Sequence, residues 1–245
     1  MSKRCLNCNN EVTDNFCSKC GQPIQTSRIS WKHLIDELQY GLLHINKGLL
    51  YTEKEMLFSP GVTIKNYLEG KRVKYTKPFL FLIIWGAIYS LVYHTFHFFP
   101  MKEMNNPDNT FLEYIPLYEW YANHYSLFIL FTLPIFALST YWILHKSNYN
   151  YIEHLVVFSY INGGKIFILL LCYPLIYFSK SIPIYHIVHI IATIYVIWGI
   201  STFFKTKSWS KAILKVVLCF ILTYTFMVII FTITLGVFEY YNIKL

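Results

Sequence analysis

Lys71-Arg72-Val73-Lys74-Tyr75-Thr76-Lys77 runs directly into Pro78-Phe79-Leu80-Phe81-Leu82-Ile83-Ile84-Trp85-Gly86-Ala87-Ile88-Tyr89. Four cations give way to a stretch with no charged side chain before His94. That boundary reads as the water–lipid interface of a membrane helix. Pro78 suits a first helical turn, because its missing N–H would be unpaired there anyway. The cations suit an anionic leaflet, at about 1 kcal/mol each near the surface.

Working outward, the same pattern recurs. Apolar runs of more than 20 residues predict spans at 78–99, 124–145, 155–178, 182–204 and 212–238. Each is long enough for a hydrocarbon core of about 30 Å. Backbone groups in lipid must be paired within their own segment, so the spans are expected to be helices. Pro134 and Pro174 fall inside spans and predict kinks. The fold class is therefore an all-α polytopic membrane protein of about five spans (residues 78–245), preceded by a pre-membrane segment (28–77) and a cysteine knuckle (1–27).

Charge sets the orientation. Residues 1–77 hold 12 Lys/Arg, whereas loop 100–123 has only Lys102 against Glu103, Asp108, Glu113 and Glu119. Lys205, Lys207, Lys211 and Lys215 cluster again before the last span. The positive-inside rule then places the N-terminus in the cytoplasm and, after five crossings, the C-terminus outside. The net charge of +8 is mostly a membrane-facing charge carried by residues such as Lys71, Arg72, Lys74 and Lys77. No separate basic domain remains to suggest nucleic acid. The N-terminus lacks an apolar signal region, so the first span is expected to act as the targeting signal.

Upstream of the boundary, Ser30 is a good N-cap for a helix bearing Trp31, Leu34, Ile35, Leu38 and Leu42 on one stripe. Thr52 and Glu55 have capping-box spacing. Ser59-Pro60 reads as N-cap and N1 of a short helix ended by Gly70. Such helices are expected to lie on the membrane or dock against the bundle.

The first 20 residues hold Cys5-x2-Cys8-x8-Cys17-x2-Cys20. Two CxxC turns supply four thiolates, the set zinc takes in closed, structural sites. Gly21 after Cys20 and Asn9 after Cys8 suit left-handed turns. Paired CxxC ahead of a membrane anchor favours a metal over a disulfide framework.

The knuckle, with Asn15-Phe16-Cys17-Ser18-Lys19-Cys20-Gly21-Gln22, resembles short zinc ribbons at the N-termini of bacterial membrane proteins. Lys47-Gly48-Leu49-Leu50-Tyr51-Thr52, Phe58-Ser59-Pro60-Gly61, Tyr67-Leu68-Glu69-Gly70-Lys71-Arg72, Tyr75 and Pro78-Phe79 resemble the signature of DUF family 3667, a bacterial membrane family. Tyr151-Ile152-Glu153-His154-Leu155-Val156 resembles its Tyr-x-Glu-His-Leu-Val segment. The resemblance implies a zinc ribbon, a pre-membrane domain and a helical bundle, and no particular activity. In the family pattern histidines follow the Glu-His pair, whereas Asn162-Gly163-Gly164-Lys165 stands there in this chain. Histidine chemistry does not carry over to that spot.

Lys165 falls mid-span, where a lysine costs about 2.5–3.5 kcal/mol even on the lenient scale, so it is expected to face the bundle interior or water. Ser159, Asn162, Gly163 and Gly164 make the helix polar and breakable there. This suggests either a substrate, ion or proton site in a discontinuous helix or an interior polar residue among close-packed glycines. Glu153 and His154, with His145 nearby, suit a catalytic metal or proton shuttle. Glu153 also suits a helix N-terminus. His94, His97, His124, His186 and His189, with Glu113, Glu119 or Glu239, are expected near the outer face as a metal or pH-sensing site, or simply as interfacial rings.

No nucleophile elbow, phosphate loop or metalloprotease pair is present. A non-enzymatic adaptor or assembly factor, docking a protein partner through the ribbon, is the leading expectation. A transporter or membrane enzyme at Lys165, Glu153 and His154 is the alternative, followed by the histidine sensor.

Overall fold

The computed structural model describes residues 3–24, 26, 28–31, 48–96, 124–179, 181–204 and 208–240. Strands β1 (Lys3–Arg4) and β2 (Glu11–Val12) pair antiparallel. Then come α1 (Leu49–Phe58), α2 (Pro60–Leu68), α3 (Pro78–Phe96), α4 (Tyr125–Ile143), a 3-10 turn (His145–Ser147), α5 (Tyr151–Ser179), α6 (Ile182–Phe204) and α7 (Trp209–Tyr240). The predicted all-helical membrane fold with an N-terminal knuckle is the one observed.

Helix α5 is the hub. Every residue from Ile152 to Ile161 is buried, because α1, α2, α3, α4 and α6 all pack against it. A helix apolar all round needs such a position. Trp85 of α3 meets Phe167, with ring centroids 4.6 Å apart, and Phe136 of α4 meets Phe158 at 4.1 Å. Gly163 and Gly164 let neighbours approach closely. A Cβ on Gly163 would lie 2.4 Å from the Phe81 ring, and one on Gly164 would lie 2.3 Å from the Tyr195 hydroxyl. The helix runs unbroken through both, so the expected discontinuity is absent. Ser159 and Asn162 instead donate to the carbonyls of Leu155 and Phe158, four residues back on their own helix. Pro134 and Pro174 sit inside α4 and α5, which also continue through them.

Among the described residues, four helical segments are long and apolar enough to cross a membrane: Pro78–Phe96, Tyr151–Ser179, Pro183–Phe204 and Trp209–Ile230. The second span, expected at 124–145, is helix α4 (Tyr125–Ile143), whose apolar part includes Leu127–Ile143. Tyr125, the first residue of α4, lies beside Lys165 near the middle of α5, and Tyr141 near the other end meets Tyr151. Helix α4 therefore flanks only the N-terminal half of α5.

Helices α1 and α2 dock onto the bundle through Met56, Ile64 and Tyr67, all fully buried, while Leu50, Phe58 and Val62 face outward. Ser59 precedes Pro60 at N1 as predicted. Gly70 adopts φ +100°, and the Lys71 and Gly70 amides return to Asn66 and Tyr67, so α2 ends in a left-handed cap. The Thr52–Glu55 capping box is not formed. Gly48 is the N-cap, and Thr52 lies inside α1, donating to the Gly48 carbonyl at 2.7 Å and accepting from the Thr76 amide at 2.8 Å. The Lys74–Thr76 segment closes over Gly48, where a Cβ would lie 2.7 Å from the Lys74 carbonyl. Tertiary contact, not a local cap, sets this helix start. Beyond Trp31, the helix expected from Ser30 lies outside the described residues.

Candidate metal centre and intramembrane site

Each half of the knuckle is built alike. The Asn9 amide donates to the Cys5 carbonyl and the Cys5 amide to Asn10, while Gly21 donates to Cys17 and Cys17 to Gln22. Asn9 (φ 61°) and Gly21 (φ 72°) take the left-handed conformation that closes each turn. The β1–β2 pairing and the Phe16–Pro23 bridge clamp the two halves. The four sulfurs converge within 4.8 Å, with Cys5–Cys20 at 3.6 Å and Cys8–Cys17 at 3.5 Å. A tetrahedral ion with metal–sulfur bonds of about 2.3 Å places its ligands about 3.8 Å apart. The residues therefore fit a metal ion. Four thiolates would close its coordination, leaving no position for substrate.

The knuckle is seated on the pre-membrane helices. A Cβ on Gly70 would lie 2.9 Å from Leu6 and 3.0 Å from the Thr26 hydroxyl. The Arg72 amide donates to the buried Gln22 side chain at 3.3 Å. Of the predicted surface cations, Lys71 is held by the Asn66 side chain (2.8 Å). Arg72 donates to the Tyr67 carbonyl (3.2 Å) and lies over its ring. Lys77 is half-buried and Lys74 is exposed.

Glu153 caps α5. It accepts from the Asn150 amide and its own amide donates to Asn150 Oδ1, both at 2.8 Å, which is a reciprocal cap on α5. Its carboxylate also takes two hydrogen bonds from Arg28. His154 is fully buried, with Nδ1 3.0 Å from Thr140 Oγ1 and its ring stacked on Phe204. Exposed His145 contacts the Trp142 carbonyl instead. The expected Glu153–His154–His145 metal site is not assembled, because cap and ring packing turn these side chains to different partners. Among the described residues the four cysteines form the one cluster suited to a metal. The histidine site is likewise not assembled there, with His94 and His186 exposed. His97, Glu113, Glu119 and the Glu239 side chain lie outside the described residues.

Lys165 faces the interior as predicted. It lines a cavity of about 340 Å³ bounded by α4, α5, α6 and α7. Its Nζ lies 5.6 Å from the centroid of the Tyr125 ring. Asn162, Thr132, Thr193 and Thr223 add polar atoms, and Phe128, Phe136, Phe158 and Phe220 form much of the apolar wall. The three threonine hydroxyls donate to their own helices or, for Thr223, also to Ser139. Lys165 is thus the cationic donor of a largely apolar chamber.

One buried group was not anticipated. Glu53 on α1 is 2 % exposed. Burial pushes its carboxyl up to about 8, partly offset by the Trp85 indole N–H that faces it. Neither carboxylate oxygen meets a donor in full hydrogen-bond geometry. The available signal was its spacing. Leu49, Thr52, Glu53 and Met56 share one helical face, which places an acid on the stripe that docks.

No curated protein and no solved structure matches the chain. Residues 46–90 match the family model described as Protein of unknown function (DUF3667). That stretch supplies α1, α2 and most of α3, together with Gly48, Glu53, Gly70 and Trp85. Over residues 46–90 the chain is similar to the DUF3667 family.

Proposed function

We propose that the protein is a membrane-embedded binding protein for a small anionic amphiphile, held in the chamber between α4 and α7. Its apolar tail would lie against the phenylalanines and its acidic head against Lys165. The carrying observation is that a lysine on an apolar spanning helix lines a cavity with apolar walls and few polar groups, the usual composition of a ligand site. Carriage of that ligand across or along the bilayer is the corresponding activity, without catalysis.

In this reading the bundle sits in a bacterial cytoplasmic membrane with the knuckle on the cytoplasmic side, which the basic N-terminal region favours. Lys74, exposed beside the start of α3, meets anionic lipid. The knuckle ion is zinc in a structural role, and the C-terminus lies outside. Labelling Lys244 with an impermeant reagent tests that last placement.

Binding is tested with the full chain in nanodiscs and a fluorescent long-chain fatty acid, with its methyl ester as control. The acid binds, the ester does not, and Lys165→Met weakens acid binding at least tenfold. Equal binding of acid and ester, or an unaffected variant, overturns the proposal.

A second reading, an adaptor docking a protein through the knuckle, is favoured by Phe16. This ring is 61 % exposed on a module seated on the bundle. Exposed aromatics on rigid supports are common interface anchors. In-cell crosslinking with mass spectrometry should lose a defined set of proteins in Phe16→Ala at matched membrane level. An unchanged set removes this reading.

A further inference from the structure

Glu53 lies where the pre-membrane unit meets the bundle. Helix α1 packs on α2 and α5, and its deep face is closed by Trp85 of α3 and Tyr195 of α6. The Tyr195 hydroxyl donates to the Met56 carbonyl one turn further along α1, at 3.2 Å. No cation among the described residues forms an ion pair with Glu53; the ion pair observed there is Arg28–Glu153. The groups that bear on the carboxyl are the Trp85 indole, which does not titrate, and the Tyr195 phenol, on which the Glu53 charge acts. Glu55 and Tyr75 interact with each other nearby, and neither is among the groups acting on Glu53. A carboxylate so enclosed carries a large desolvation cost, which a proton removes.

We propose that Glu53 is a proton-binding site at the contact between α1 and the bundle, and that the docked position of α1 requires the proton. This goes beyond ligand binding at Lys165 and does not depend on it. The step is a simple protonation: the carboxylate takes a proton from water as α1 docks and returns it when α1 lifts.

The direction follows from linkage. The docked acid holds its proton up to about 8, whereas an undocked, hydrated glutamate ionises at about 4.3. Docking is strongest below the ordinary glutamate range. It weakens about tenfold per pH unit as pH rises toward 8, and levels off above that. The strongest variation falls across the neutral range.

Hydrogen–deuterium exchange of α1 amides in the full chain in nanodiscs, between pH 5.5 and 7.5, tests the site. Once normalised to Glu53→Gln, whose side chain is neutral throughout, wild-type opening of α1 rises about tenfold per pH unit. Helix α5 in the same molecule serves as an internal reference and shows no such rise. Equal pH dependence of α1 in wild type and variant, or an equal rise in α5, overturns the proposal. Should Glu53→Gln fail to fold, infrared spectroscopy of wild type decides. The protonated carboxyl band persists at pH 7 and bleaches near 8, whereas an ionised carboxylate at pH 6 overturns the assignment.

Discussion

Arg28 grips both carboxylate oxygens of Glu153, Nε to Oε1 at 2.8 Å and Nη2 to Oε2 at 2.7 Å, across a sequence separation of 125. It also donates to the Asn148 carbonyl. A short segment after the knuckle is thereby fastened to the first turn of the central helix. Asn150 Nδ2 adds a bond to the Ile29 carbonyl, and Ile29 is buried in the bundle core.

Loss of Glu153 is expected to cost more than loss of Arg28. Glu153→Ala removes the carboxylate half of the α5 capping box and the ion pair, at about 2 kcal/mol, while Asn150 still caps the residue-153 amide. Arg28 is 59 % exposed, so its pairing is screened and Arg28→Ala costs below about 1 kcal/mol. Thermal unfolding in detergent ranks the two, and the reverse order would contradict the capping role.

Gly61→Ala should be among the more damaging small substitutions. Its Cβ would lie 2.7 Å from the Thr202 carbonyl carbon and 2.8 Å from the Phe203 nitrogen, both backbone atoms that cannot rotate aside. Overpacking of this kind costs about 1–3 kcal/mol. Gly21→Ala has open space around it but needs φ +72°, so its cost of about 1 kcal/mol is conformational. Gly21→Asn should recover much of it, measured as metal retention during chelator titration.

Metal removal is expected to act locally. Cys5 and Cys17 are buried in a small cluster with Val12, separate from the core of the bundle. Chelation should unfold residues 3–24 and expose Gln22, leaving far-ultraviolet helicity nearly unchanged. Elemental analysis should give one ion per chain, lost in Cys5→Ser/Cys17→Ser. Wholesale loss of helicity would mean that the knuckle supports the bundle.

Lys165→Met separates binding from packing. If the lysine serves a ligand, the variant keeps or gains thermal stability, because an expensive charge leaves the membrane interior, while affinity for an acidic amphiphile falls. A fall in stability above about 2 kcal/mol with ligand affinity intact would instead make Lys165 an internal tether.

The knuckle was legible in detail because its geometry is local: CxxC spacing sets the thiolate pairs, and Asn9 and Gly21 supply the left-handed turns. Lys165 was legible because a charge in an apolar span has few tolerable directions. The Thr52 cap was misread because the Thr76 amide, 24 residues away, competes for its hydroxyl. The bounds of the second span were legible, but not how far it runs along α5, because apolarity gives length in the chain whereas the Tyr125–Lys165 contact shows where α4 starts along α5.

By itself, the sequence determined the membrane class, the helical state of the apolar runs and the four-cysteine set that could hold a metal. These follow from backbone pairing in lipid and from short spacings, which act within a few residues. Only the tertiary structure decided that Glu153 is a cap held by Arg28, that Lys165 lines a chamber, and that Glu53 is buried with no ion pair among the described residues. Those outcomes depend on which surfaces distant segments bring together, and desolvation at a contact between helices has no signature in the spacing of either one.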